Sequence, residues 1–360
     1  MTGYDAHIKN QILPHLDAIS QSVLTENLKR EPELFSKLGP QGSQMYTLGI
    51  KFHIKYLCEC IALASPELYI ANVIWFSSHM TYLQTPMGDY KRGFELAAAA
   101  MGEYLPQADR EIVAEYIERG IAQLSMKPAE VRSFIGSDSP SDRVASRYLE
   151  MLLRGDKQGA EDLIDEWWRT EPDVSSIFID VFQKTQYEVG RLWEIGKIDI
   201  GQEHYCTAAT QMIMSHLYPQ LWANRRERSR HPRAVVACVE GELHEFGARM
   251  VADMFELDGW DLIYLGANTP AENIVKIVED KRPEIILLSA TIIYQLRVIV
   301  DIIDRINDMG RPGGIRIMVG GYPFNQDVNL WSKIGADGYA PDAKATLAIA
   351  NQWSEGTSKC

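Results

Sequence analysis

The feature that most restricts how this chain can fold is a change of hydrophobic period at Arg233. Beyond it, short apolar runs rich in Val and Ile occupy Ala234–Val239, Asp261–Leu265, Glu284–Ser289 and Ile315–Val319. Stretches of helical spacing, ten or more residues long, begin near Glu245, Ala271, Ile293 and Gln326. Runs apolar at every position suit strands buried on both faces, and strand–helix alternation produces parallel strands covered by helices. Gly338-Tyr339-Ala340 reads as a short fifth strand and Ala343–Trp353 as a closing helix. Residues 232–354 are therefore predicted to form a doubly wound α/β domain.

Upstream, the chain reads as helix. Apolar positions recur at helical spacing over Ile50–Leu63, Leu68–Leu83, Gly93–Tyr104 and Arg110–Leu124, with Pro66, Pro86 and Pro106 near their ends. The small, polar stretch Gly136–Asp142 separates an all-α module, residues 1–138, from a second helical block, 142–224. That block reads as four helices: Asp142–Leu153, Lys157–Arg169, Asp173–Ile195 and Gly201–Trp222. Gly196 suits a left-handed helix end, and Asp199 with Gln202 resembles a capping box. Arg225–Pro232 reads as a charged, solvated connector.

Acidic side chains outnumber basic ones, 49 to 36, and the formal net charge is −13. Such a surface repels phosphate backbones, so direct nucleic-acid binding is not expected. Five cysteines without regular spacing fit a reducing cytoplasm. Neither a membrane-spanning apolar run nor a basic-then-apolar leader is present, so a cytoplasmic location is expected.

In an open α/β sheet, ligands bind beyond the carboxyl ends of the strands. The first such end carries Glu240-Gly241-Glu242-Leu243-His244-Glu245-Phe246-Gly247, the second Gly266-Ala267-Asn268-Thr269-Pro270, the third Ser289-Ala290-Thr291, and the fourth Gly320-Gly321. A lone loop histidine is often a bystander. With a carboxylate two residues away, however, an imidazole can bind metal through one nitrogen while the acid holds the proton on the other. Glycines at the strand ends let a bulky group come close to the backbone. No further His, Cys or carboxylate cluster completes a zinc shell here, so the metal is expected inside a macrocycle that needs a single protein ligand.

The set Glu242-x-His244-x-x-Gly247, with Thr269, Ser289 and Gly320-Gly321, resembles the cobalamin-binding signature on a flavodoxin-like domain. The resemblance implies a base-off cofactor, His244 as lower ligand to cobalt, and a nucleotide tail buried along the sheet. Glu242 stands where many family members have Asp. In the helical block, Trp193 is followed after nine residues by Glu203-His204. Read alone, these are a core indole and a satisfied Glu–His pair. Next to a cobalamin domain, they resemble the four-helix cap of CarH-type adenosylcobalamin photoreceptors, whose Trp, Glu and His face the adenosyl group. Glu194 departs from that type, which has histidine after the Trp, and no basic helix-turn-helix precedes the cap.

The first module carries His53 and His79 among Phe52, Tyr56, Tyr69, Trp75, Phe76 and Tyr82. Such a set suits a flat tetrapyrrole, or simply an aromatic core in a helical dimerisation domain. The order of modules resembles the photocobilins, which pair cobalamin with biliverdin in a globin-like domain. That resemblance implies His53, then Trp75 and His79, as bilin contacts; covalent attachment through Cys58 or Cys60 is not expected.

The reading that follows is a non-enzymatic photosensory protein holding adenosylcobalamin and biliverdin, a homo-oligomer such as a dimer, signalling through association or a separate effector. The alternatives are a corrinoid carrier for methyl transfer and a light-independent regulator sensing haem or cobalamin.

Overall fold

The structure, a computed structural model, describes residues 3–30, 32–82, 87–124, 132–170, 173–223 and 225–357; the side chains of 32–41, 79–82, 87–90 and 356–357 are outside the description. The chain divides into two compact units: Met1–Ala129 with Gln326–Gly335, and Glu130–Asn325 with Ala336–Cys360.

The first unit contains α1 (His7–Ile12), α2 (Leu16–Arg30), α3 (Pro32–Ala62), α4 (Pro66–Tyr82), α5 (Met87–Gly102) and α6 (Gln107–Leu124). Its interior is made by one face of each helix, including Ile19, Ile54, Leu57, Val73, Ala97 and Met101. Helix α6 comes close to α4 at Gly120, where an added Cβ would lie 2.6 Å from the Tyr69 ring. Pro66 opens α4 and Pro106 immediately precedes α6, as the sequence indicates, whereas Pro86 lies outside the described residues. Helix α3 runs for 31 residues, far beyond the periodic segment that marked it.

In the second unit, α7 (Pro140–Leu153) and α8 (Lys157–Thr170) precede a π-helical segment, Ser176–Gln183, that continues into α9 (Lys184–Glu194). Next come α10 (Ile200–His216) and α11 (Tyr218–Ala223). The expected cap box is present: Asp199 accepts from the Gln202 amide, and the Gln202 side chain accepts from the Asp199 amide. Gly196 has φ 64°, ending α9 as expected. The last predicted helix of this block is broken at Leu217 into α10 and α11. Buried Tyr148, Phe178, Phe182 and Ile213 form one core with Phe246, Met250 and Met254 of α12 (Phe246–Leu257), which joins the helices to the α/β part.

Five parallel strands follow, β1 (Arg233–Cys238), β2 (Asp261–Tyr264), β3 (Ile285–Ser289), β4 (Arg316–Gly320) and β5 (Gly338–Tyr339), in the order β2-β1-β3-β4-β5. This is the flavodoxin-like order, with its switch point between β1 and β3. Val235, Ile286 and Ile317 are fully buried, explaining the continuous apolar runs. Helices α13 (Ala271–Lys281) and α14 (Leu296–Asp308) connect the middle strands, and α17 (Ala343–Thr357) packs on α12.

Two expectations are corrected. No long helix starts at Gln326; the chain instead forms α15 (Tyr322–Gln326) and α16 (Leu330–Lys333), four or five residues each. Asp327 interrupts the helix by turning its carboxylate onto the Asn329 amide, Ser65 and Lys333, at 3.0, 2.7 and 2.8 Å. The Arg225–Pro232 connector is not simply solvated either. Arg226 and Arg228 pair with Asp258, Arg228 also reaches Asn351 at 2.7 Å and lies over the Trp260 ring, and Arg230 meets Glu284 at 2.9 Å. Partly buried partners for these guanidiniums hold the connector against the sheet domain.

Candidate functional site

The chain leaves β1, bridges Val239 to Thr269, and turns back at Glu242. The Glu242 side chain is completely buried. One oxygen accepts from the His244 backbone amide at 2.6 Å and lies 2.7 Å from His244 Nδ1; the other accepts from the Thr291 amide at the end of β3. Burial alone would raise the carboxyl's pKa, but these three hydrogen bonds and the imidazole's charge outweigh it and hold the pKa below the ordinary glutamate value. Donating a hydrogen bond to Glu242 raises the imidazole's pKa in turn, against desolvation, with further help from the charges of Glu242 and Glu203. A carboxylate can only accept, so it fixes the proton on Nδ1 and leaves Nε2 with its lone pair. The ring is 64 % exposed, and Nε2 makes no hydrogen bond to any described residue.

The other strand-end residues surround this pair. Ser289 stands opposite Cys238 on one side and Gly320 on the other. Gly321 has φ 106° and passes so close to the β3 loop that an added Cβ would sit 2.0 Å from the Ala290 carbonyl oxygen. Gly320 is different: the nearest atom to an added Cβ is the Ala340 oxygen at 3.8 Å, and at Gly247 nothing lies within 4 Å. Thr269 is buried and donates its backbone N–H to the Cys238 carbonyl. Exposed Leu243, Ile292 and Tyr322 supply apolar surface around the glycines. A bulky macrocycle with a central metal needs an outward axial donor, a carboxylate behind it and side-chain-free backbone beside it. His244, Glu242, Gly247 and Gly320 meet those needs.

On the helical side, Trp193 is 38 % exposed at the end of α9, and Glu203 and His204 lie in the first turn of α10. Glu203 sits 3.4 Å from His204 and within electrostatic reach of His244, so α10 approaches the strand ends. Burial raises the Glu194 carboxyl's pKa, opposed by Arg191.

The residues picked out in the first module lie in the other unit. His53 is buried, stacked on Phe94 with ring centres 4.0 Å apart, its Nε2 3.3 Å from the Tyr69 hydroxyl. Desolvation depresses its pKa to about 3, so the ring is neutral. Trp75 is half-buried, and the His79 side chain lies outside the described residues. Cys58 and Cys60 are buried thiols, Cys58 pushed up to about 12 by desolvation, which leaves neither suited to nucleophilic attachment. The Thr291 amide as partner of Glu242 was missed from sequence; a backbone donor leaves no residue-type signal.

Residues 232–348 and residues 144–218 each match a family described as B12 binding domain. The dimethylamine corrinoid protein 2 of Methanosarcina acetivorans is 30 % identical over 168 residues, covering 46 % of this chain and 75 % of that protein. The trimethylamine corrinoid protein 1 of the same organism is 26 % identical over 203 residues, 56 % of this chain and 93 % of that one. The solved monomethylamine corrinoid protein of Methanosarcina barkeri, 23 % identical, shares the fold over 58 % of this chain and 98 % of its own, with a TM-score of 0.52. The chain belongs to the family of B12-binding corrinoid proteins.

Proposed function

We propose that this protein is a corrinoid carrier that holds cobalamin with His244 as the lower axial ligand and serves methyl transfer together with a separate partner protein. The observation that carries the reading is the outward Nε2 of His244 backed by the buried Glu242 carboxylate. A cobalamin held there would supply a cobalt able to accept and give up a methyl group. Glu242 keeps Nδ1 protonated so that Nε2 can donate to a metal. Gly247 and Gly320 leave room beside the ring for a bulky group. Apolar Leu243 and Ile292 favour a planar organic surface over water. The methylamine names of the relatives support methyl as the group carried.

A second reading is favoured by Trp193, whose indole is partly exposed on the helix that precedes Glu203, itself within reach of His244. An indole there suits an adenosyl upper ligand and light sensing, with the helical module around His53 and Trp75 taking biliverdin or haem. Under this reading output passes through a homodimer or an effector.

One experiment separates them. The protein is loaded in the dark with methylcobalamin or adenosylcobalamin, and absorption is followed under green light and then with a methyl-accepting thiol. Loss of methylcobalamin to the thiol only when a methyltransferase partner is added supports the carrier. Rapid bleaching of the adenosyl form with a change of oligomeric state would replace it by the sensor. Failure to retain any corrinoid sinks both.

A further inference from the structure

We infer that Gln295 is a positioning residue for His244, acting through the peptide that carries Glu242. This rests on the reading of His244 as the cobalt ligand. Gln295 follows the Thr291 loop and is buried, 5 % exposed. Its Oε1 accepts from the amides of Thr291 and Ile292, both at 2.9 Å, and its Nε2 donates to the Gly241 carbonyl at 2.9 Å. Two donors on one side and a carbonyl on the other allow one orientation of the amide, so the side chain is a fixed strut between the loops after β1 and β3.

The strut grips the two groups that set the Glu242 carboxylate. The Thr291 amide that Gln295 holds also donates to Glu242 Oε2. The Gly241 carbonyl belongs to the peptide bond leading into Glu242. The same glycine is gripped on its other side by Asn268, whose Oδ1 accepts from the Gly241 amide at 2.8 Å. With Gly241 held at both its N–H and its C=O, Glu242 has little freedom. Its Oε1 is thereby aimed at His244 Nδ1, and the imidazole proton is fixed there. No other buried side chain among the described residues ties both loops to this carboxylate.

The inference separates support of the ligand from support of the fold. A merely structural strut would act on cobalamin binding and on stability alike, whether or not His244 is present. A positioning strut acts only through the imidazole.

The test uses Gln295→Met, which keeps the volume and removes all three hydrogen bonds, and Asn268→Gly, which tolerates the φ of 51° and removes the other grip on Gly241. In cofactor-free protein, nitrogen chemical shifts of the His244 ring report the tautomer. Both variants are expected to lose part of the Nδ1–H population that predominates in the wild type. Cobalamin affinity should fall about tenfold in Gln295→Met, and should not change further when Gln295→Met is added to His244→Ala. An unchanged tautomer in both variants, or an equal affinity loss with and without His244, overturns the inference. Should Gln295→Met fail to fold by circular dichroism, Asn268→Gly decides. Wild-type protein that takes up no cobalamin would sink the cofactor reading, while the tautomer comparison, made without cofactor, still decides Gln295.

Discussion

His244 Nδ1 lies 2.7 Å from Oε1 of Glu242, and the carboxylate it meets is wholly closed off from solvent. A buried acid that is fully hydrogen-bonded is a rigid backstop, so the exposed ring is aimed from behind rather than from its own packing. Removing the ring and removing the backstop should therefore differ. His244→Ala is expected to abolish the base-off, His-on absorption spectrum. Glu242→Gln should retain that spectrum but weaken cobalamin retention about 10- to 100-fold. Equilibrium dialysis with absorption read-out checks both, and an unaltered spectrum in His244→Ala would remove the imidazole from the site.

Gly320 and Gly321 are adjacent but not equivalent. An alanine at 321 would need an unfavourable φ and would collide with the Ala290 carbonyl, so Gly321→Ala should lower stability by at least about 1–3 kcal/mol. Gly320→Ala meets nothing closer than 3.8 Å and should fold with wild-type stability. Its methyl would nevertheless enter the space assigned to the cofactor, so cobalamin uptake should drop. Thermal melts of the cofactor-free proteins together with cobalamin titrations give both numbers. Normal uptake by Gly320→Ala would place the cofactor elsewhere.

The sheet could be read in the sequence because β1, β3 and β4, largely buried, leave nearly unbroken apolar runs, and each observed strand, edge strand β2 included, lies within a residue or two of its run. His244 and Glu242 were legible because both are chemically distinctive and stand at a strand end. Gln295, Asn268 and the Thr291 amide were not. Their role is set by loop geometry, and an amide side chain in a loop has no periodic context. The π-helical segment at Ser176–Gln183 leaves its apolar face intact, so it reads as ordinary helix. Asp327 broke an expected helix through contacts with Ser65 and Lys333, and a partner some 260 residues away leaves no local trace.

Acid should loosen the first unit through His53. The ring is buried, stacked on Phe94 and held neutral with a pKa near 3, whereas in the unfolded chain it returns to about 6.5. Between those values the unfolded state binds the extra proton, so stability rises with pH and falls as the solution is acidified. The effect over the whole interval is at most about 5 kcal/mol. His53→Phe, which keeps a ring against Phe94, should remove it. Hydrogen exchange of α3 amides, compared in wild type and variant at pH 7 and about pH 4, reads the difference; parallel curves would show that His53 carries no pH dependence.

The second unit should respond in the opposite sense through Asp253. Its carboxyl is buried on α12 and accepts from the Tyr218 hydroxyl at 2.8 Å, while Arg249 donates to the same hydroxyl at 2.9 Å. Desolvation outweighs the Tyr218 hydrogen bond and the Arg249 charge, and raises the pKa to about 6. The folded state therefore holds the proton between about pH 4 and 6 where the unfolded chain has released it. The stabilisation is present in full below the unfolded value and is lost as pH rises through the folded one. Asp253→Asn keeps an acceptor for Tyr218 and cannot ionise. Its stability relative to wild type should rise by about 2 kcal/mol between pH 4.5 and 7.5, most of it before pH 7. Because Tyr218 begins α11 and Asp253 lies on α12, the gain should appear as tighter docking of the helical block on the α/β part, read by slower exchange of α11 amides. A stability difference that does not vary with pH would mean that Asp253 is ionised in the folded protein throughout and that Arg249, not burial, controls it.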